Sequence, residues 1–322
     1  MIGRLWRYWV ALWSHQEPAT AMAWVRLLLG LVLCWDLAEA WQLDLVSTLW
    51  APPEAGGFPS NLLNRDPVPE VYRLFPPTEA TAAGLHAVTF FASLAWALGL
   101  FTRVSGLVLI LAYAQLAQIL PLGDRGIDLM MRNVMFILLF SRCGDALSLD
   151  ARRRTGSFFG DGALVSAWPR HLILLQIVVM YWMAGVQKTA LTWTPLGGYH
   201  ALYIILQDPH IARHSFEWLA SVWPLTSLAT ATTHIWENTA PLMLVLMHFR
   251  MTDGQPGRLR AWAKRLRLMH LWVFVGVLLH LGIAATMQLG IFPWAMLALY
   301  PAWFHPDELG AAWAWVKARA GR

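Results

Sequence analysis

Stretches of apolar residues about twenty long and nearly free of charge recur along this chain, and they decide what it can become. The stretch LMHLWVFVGVLLHLGIAATM (268–287) is one of them. In lipid a backbone has no water to bond to, so such a stretch must close its own hydrogen bonds as a helix. The runs predict spans near 19–42, 80–101, 104–121, 128–142, 169–189, 223–249 and 268–303, with Pro293 breaking the last. The expected fold class is all-α: a polytopic helical membrane bundle of about 7 (7–9) transmembrane helices with interfacial helices. Charged residues are 13% of the chain, against roughly 25% in an average soluble protein. Many of the 20 tryptophans fall near the ends of the runs, where an indole favours the headgroup region. The loops at 43–79 and 195–220, rich in Trp, Pro and Tyr, are expected to carry short surface helices.

Basic residues set the orientation. Arg4, Arg7, Arg103, Arg142, Arg152, Arg153, Arg154, Arg170, Arg250, Arg258, Arg260, Lys264, Arg265 and Arg267 fall on one side of the predicted spans. The other side has Arg65, Arg73, Arg125 and Arg213. The positive-inside rule makes the first side cytoplasmic, in an inner or plasma membrane with the N-terminus inside. The net charge of +5 is therefore read as topology, and no basic stripe with exposed aromatics predicts a nucleic-acid partner. Residues 1–17, with Trp6, Trp9 and Trp13 beside Arg4 and Arg7, read as an interfacial helix rather than a cleavable signal. Residues 18–306 form the membrane domain and 307–322 a short amphipathic tail, placed outside by span count although Lys317, Arg319 and Arg322 argue for the inside. Cys34 and Cys143 fall near opposite faces, so no disulfide is expected, and no Cys/His spacing predicts a metal.

Ionisable residues inside a membrane need a reason, because a charge there costs a few kcal/mol or more. Arg26, Asp36 and Glu39 lie in the first span, Asp128 and Arg132 open the fourth, and Lys188 ends the fifth. His234 and Glu237 share a face of the sixth at i, i+3, and His280 and Gln288 lie in the seventh. Asp128 and Arg132, at i, i+4, are expected to pair. At about 1.5 Å per residue, His234, Glu237 and His280 fall roughly 17–22 Å from a span end, near the midplane. Asp36, Glu39, Arg132 and Lys188 fall in the outer third. Turned inward, these groups would line an outward-opening pocket for an amphipathic lipid. Against this stand plainer roles. Lys188 can snorkel, Asp128–Arg132 can be a structural pair, Arg26 can hold an anionic lipid, and the histidines can bridge helices.

The ordered segments LGLFTR (98–103), GDRGIDLMMRNVMFILLF (123–140), SLD (148–150), YWMAGVQK (181–188) and LGIFPWAMLA (289–298) resemble the HTTM family. That family includes the membrane domain of vitamin K-dependent gamma-carboxylase, and the likeness runs from about residue 18 to about 306. The resemblance implies that Lys188 is the base acting on reduced vitamin K or another quinol, with His280 as the second catalytic residue. It also implies oxygenation of the quinol, followed by proton removal from a glutamate and carboxylation. A lysine can act as base only when neutral, a state that burial favours. Here Gln187 stands where the family has a first lysine, and DRGID (124–128) lacks the family's histidine. Few residues follow Pro306, where the carboxylase has a large lumenal domain. Those departures argue against protein glutamate carboxylation, which would need a peptide substrate.

The expected function is thus a membrane enzyme resembling gamma-carboxylase, with Lys188 and His280 catalytic and no metal. His234, Glu237, Arg132, Asp128 and Asp36 would bind the lipid or quinol. The alternative is a non-catalytic membrane helper or immunity-type subunit, whose polar residues serve packing. A small-solute transporter fits less well, since no internal repeat or pair of broken spans is visible.

Overall fold

The structure, a computed structural model, describes residues 2–58 and 69–320. Its helices in chain order are α1 (Ile2–Ser14), α2 (Thr20–Gln42), α3 (Val46–Trp50), α4 (Glu70–Leu74), α5 (Glu79–Leu98), α6 (Thr102–Ile119), α7 (Gly126–Leu139) and α8 (Leu149–Thr155). They continue as α9 (Trp168–Val186), α10 (Ala201–Ile205), α11 (Trp223–Asn238), α12 (Leu242–Met251), α13 (Arg258–Arg265), α14 (Leu268–Thr286), α15 (Phe292–Leu299) and α16 (Pro306–Ala320). Five of them, α2, α5, α6, α9 and α14, are long and apolar enough to cross a membrane. Among the described residues, short helices occur in both loops, 43–79 and 195–220. Arg65 and Arg322 lie outside the described residues.

Two compact units emerge, Met1–Arg170 with Ala298–Arg322, and His171–Leu297. In the first unit α2 packs on α5, and α5 on α6; Val25, Leu29 and Leu33 of α2 are fully buried. Gly30 permits that approach, because a Cβ there would lie 2.7 Å from Cβ of Ala97. One turn earlier, Arg26 is fully buried rather than held at a lipid surface. Its guanidinium donates to the carbonyls of Trp96 (2.5 Å), Ala97 (2.8 Å), Leu147 (2.6 Å) and Cys143 (3.3 Å). It thereby closes the last carbonyls of α5, which a helix end leaves without partners. At the head of α6, Asp150 accepts from the N–H of Phe101 (2.9 Å) and Thr102 (2.7 Å) and from the Thr102 hydroxyl (2.7 Å). A two-stranded antiparallel ribbon, β1 (Gln16–Pro18) with β2 (Leu164–Ser166), is absent from the sequence reading. It carries Glu17 into a bidentate pair with Arg170, 2.6 Å on each side.

In the second unit α11 and α14 are joined by two tryptophans. The rings of Trp236 and Trp272 stack at 4.2 Å, and each indole N–H donates to the other's carbonyl, at 2.8 and 3.3 Å. Gly185 in α9 lets the end of α11 come close, since a Cβ there would meet the Asn238 nitrogen at 2.9 Å.

The expected sixth span, 223–249, is two helices, parted around Pro241. The expected seventh breaks at residues 287–291 and not at Pro293. Pro293 is the second residue of α15, where a missing N–H costs nothing. Gln288 consequently lies outside the helix, bonding Ile211 and Ala212 carbonyls through its backbone and side chain.

Candidate functional site

Lys188 lies two residues beyond α9, after Gly185 has closed the gap to α11. Its ammonium does not snorkel. Nζ donates to both carboxylate oxygens of Glu237, at 2.6 and 2.8 Å, and to the Ala184 carbonyl at 3.3 Å. The Trp193 ring covers it at 5.0 Å. The lysine side chain is 21% exposed and that of Glu237 only 8%, so the pair sits at the margin of the buried interior. Two turns back along α9, the Tyr181 hydroxyl and His280 Nε2 are hydrogen-bonded at 2.6 Å. His280 is buried in α14, and its ring also meets Phe292 edge-on. The Tyr181 ring packs edge-on against Trp236 and Trp272. This unit therefore assembles an amine, a carboxylate, a phenol and an imidazole around a stacked indole pair. Such a set can receive, hold and pass on a proton.

His234 and Glu237 lie at i, i+3 in α11, but no described hydrogen bond joins them. Among the described hydrogen bonds the neighbour of His234 is Asn238, whose amide donates to the His234 carbonyl at 2.8 Å and stands 3.5 Å from its ring nitrogen. Glu237 instead turns to the lysine.

The first unit gathers the remaining expected residues around a cavity of about 280 Å³. Asp36, Glu39, Asp128 and Arg132 line it. The expected Asp128–Arg132 pair does not form. Asp128, at the third position of α7, accepts from the Arg125 N–H at 2.8 Å, where a helix start needs an acceptor. It also accepts from the Arg125 guanidinium (2.8 and 2.9 Å) and the Tyr113 hydroxyl (2.6 Å). Arg125 bridges on to Asp36 at 2.9 Å, and Arg132 forks onto Asp124 at 2.6 and 2.8 Å.

The sequence reading missed Tyr181, Trp236, Trp272, Tyr113, Asp124 and the central role of Arg125. Tyr181 was within sight, opening the segment YWMAGVQK. For metals, His15, Glu17 and His305 offer ligand atoms within 4.8 Å of one another. Both Glu17 oxygens already accept from Arg170, so its carboxylate is neutralised and engaged. Cys34 and Cys143 are free thiols, Cys34 lying 3.0 Å from the Ser93 hydroxyl.

Compared with known proteins, the family model of the HTTM domain matches residues 14–308, nearly the whole chain. No curated protein and no solved structure matches it significantly.

Proposed function

The chain belongs to the HTTM domain family, and from that premise we propose that it is an integral membrane enzyme that takes a proton from a quinol-like lipid. The observation that carries this reading is the contact of Lys188 with the buried carboxylate of Glu237. An amine serves as base only without its proton, and a carboxylate 2.6 Å away is a ready place for that proton to rest. Lys188 would then take the proton of a bound hydroxyl, and Glu237, after giving its own proton to water at the exposed margin of the pair, would accept it in turn. Tyr181 and His280 would orient the ring or carry the second proton, on a floor formed by Trp236 and Trp272.

Reduced vitamin K or another quinol fits this donor set, which offers proton acceptors beside flat aromatic faces. When bound, it would supply the acidic hydroxyl and the electrons for reaction with oxygen. Protein carboxylation, with a peptide as second substrate, is not part of the proposal. Asp36, Asp128 and Arg132 are proposed only as residues that shape a lipid-binding hollow within their own unit, and His234 as one that shapes the quinol site in the other. We also propose a plasma or inner membrane with the N-terminus cytoplasmic. The five long helices are joined by α7, α11 with α12, and α15 in a total of seven to nine crossings.

The test is a pair of variants in nanodisc-held protein, assayed for naphthoquinol binding and oxygen-dependent turnover. Lys188→Met is expected to abolish turnover, but it strands Glu237. Lys188→Arg keeps the ion pair and cannot act as a base near neutral pH. It should keep the wild-type melting temperature and lose turnover at least about a hundredfold. Turnover within about twofold of wild type in Lys188→Arg removes the base role.

A second reading has its own support: both Glu237 oxygens are taken by one amine, as in a structural cross-link between α9 and α11. A non-catalytic membrane helper would use the pair in that way. It predicts no quinol turnover in the wild type and an unaltered Lys188→Arg.

A further inference from the structure

Far from the Lys188 cluster in sequence, α5 and α6 form a hairpin whose turn is Gly99–Phe101. Helices of 20 and 18 residues are about the thickness of the hydrocarbon core, so the turn lies at headgroup level. Along the hairpin runs an apolar groove of about 410 Å³, lined by Val88, Phe91, Ala92, Phe101, Val104 and Val108. At the turn it meets a second hollow of about 380 Å³, which shares Phe101 and Val104 but is lined also by Arg103, Arg142 and Ser141.

The two hollows differ in chemistry. Around the second, Arg103 and residues 142–161 contribute five arginines against three aspartates. Asp145 and Asp150 line the hollow too, but all three aspartates already have partners. Asp150 caps α6, Asp145 pairs with Arg142 and Arg154, and Asp161 stands within ion-pair reach of Arg154. Among the described ion pairs none involves Arg103 or Arg153. The Arg153 guanidinium lies over the Phe101 ring at 5.0 Å, while the same ring walls the groove. Phe101 itself stands at φ +47°, a left-handed conformation that a side-chain-bearing residue seldom adopts. Its N–H is fixed by Asp150. That bond holds the ring where an apolar trough ends and a surplus of positive charge begins.

We infer that this hairpin is a binding site for one anionic phospholipid, with an acyl chain along the α5–α6 groove and the phosphate between Arg103 and Arg153. Charge complementarity selects that occupant. A zwitterionic lipid would bring its own cation against the arginines, whereas an anionic headgroup brings none to offset them. The site owes nothing to the proposed quinol chemistry.

The test uses full-length protein extracted from membranes of mixed phosphatidylglycerol and phosphatidylcholine, with retained lipid read by native mass spectrometry. Wild type should keep one phosphatidylglycerol in preference to phosphatidylcholine. The double variant Arg103→Gln/Arg153→Gln should cut that retention about tenfold, and Arg103→Lys/Arg153→Lys should largely restore it. Val104→Trp, at an exposed position on the groove wall, should weaken retention without touching charge. Melting temperatures of all variants are compared, and those of the charge variants should stay close to wild type, because Arg153 is the least of the groups favouring the Asp150 charge. Equal retention of both lipids by wild type overturns the inference. So does unchanged phosphatidylglycerol retention in the glutamine double variant. If Val104→Trp retains it fully, the acyl-chain half fails.

Discussion

Each unit carries a cluster of charge, and the two use different cations. In the first, Asp36, Asp124 and Asp128 are held by Arg125 and Arg132, with Tyr113 completing the bonds. In the second, Glu237 is held by Lys188. A guanidinium stays protonated at any pH the protein meets, so it can fix carboxylates but cannot take a proton from a substrate. An ammonium in a dry site can give its proton up. The first cluster is thus suited to holding α2, α6 and α7 together, and the second carries the cation type that the proposed function requires. The difference teaches that intramembrane charge alone does not mark a reaction site. Under the proposed function, the cation must also be one that can become neutral.

The comparison breaks most visibly at Arg125. Changing Arg125→Gln leaves the Asp128 carboxylate, whose side chain is 4% exposed, with only Tyr113 and a backbone N–H. The expected loss of stability is about 2 kcal/mol, less than for a fully buried pair because the Arg125 side chain is 40% exposed. Quinol turnover per folded molecule should not change. The double variant Arg125→Gln/Asp128→Asn should recover much of the melting temperature. A large fall in turnover at unchanged stability would transfer the chemistry to the first unit and reverse the assignment.

How far these clusters could be read from the sequence depends on range. The apolar runs placed α2, α5, α6, α9 and α14 closely, because lipid leaves a long apolar stretch one solution. Lys188 was visible through YWMAGVQK, but its partner is 49 residues away and no local rule connects them. Where a local rule was available, it misled. The i, i+4 spacing of Asp128 and Arg132 lost to the helix start, which needed Asp128 for the Arg125 N–H and left Arg132 to Asp124. An Asp three residues after Arg125, directly following RGI, is itself a cap signal and could have been weighed first. His234 and Glu237 do lie at i, i+3 in α11, but the Glu237 carboxylate is bonded to Lys188, a partner that spacing could not announce. Tyr181–His280 and Trp236–Trp272 are tertiary pairings that no spacing announces.

A smaller effect sharpens the second side. Tyr181→Phe removes one hydroxyl from a buried bond to His280 and leaves the ring packed on the indoles. The expected stability loss is about 1 kcal/mol. If the dyad handles a proton, turnover should also fall about tenfold, with the pH dependence of kcat altered. A change in melting temperature with kinetics untouched would reduce the dyad to packing and leave Lys188 and Glu237 to act alone.

The smallest effect concerns a carboxylate outside the spans, and it tests whether acid sensitivity belongs to architecture. Burial works against the charge of Asp150, but the Thr102 N–H and hydroxyl, the Phe101 N–H and nearby Arg153 outweigh it and hold its carboxyl below the usual range. A group so lowered contributes its full stability above the value it has in the unfolded chain. That contribution is lost as pH falls through the folded value, in the region below about pH 4. It should amount to about 0.5 kcal/mol, the low end for a helix cap, because the carboxylate is only partly buried and is screened by solvent. In Asp150→Asn the melting temperature should be slightly lower at neutral pH and should fall less steeply on acidification. The pH profile of turnover, set in the other unit, should stay where it was. If acidification costs the variant as much as wild type, the acid limb comes from other carboxylates, and the cap at α6 is held by its hydrogen bonds rather than by its charge.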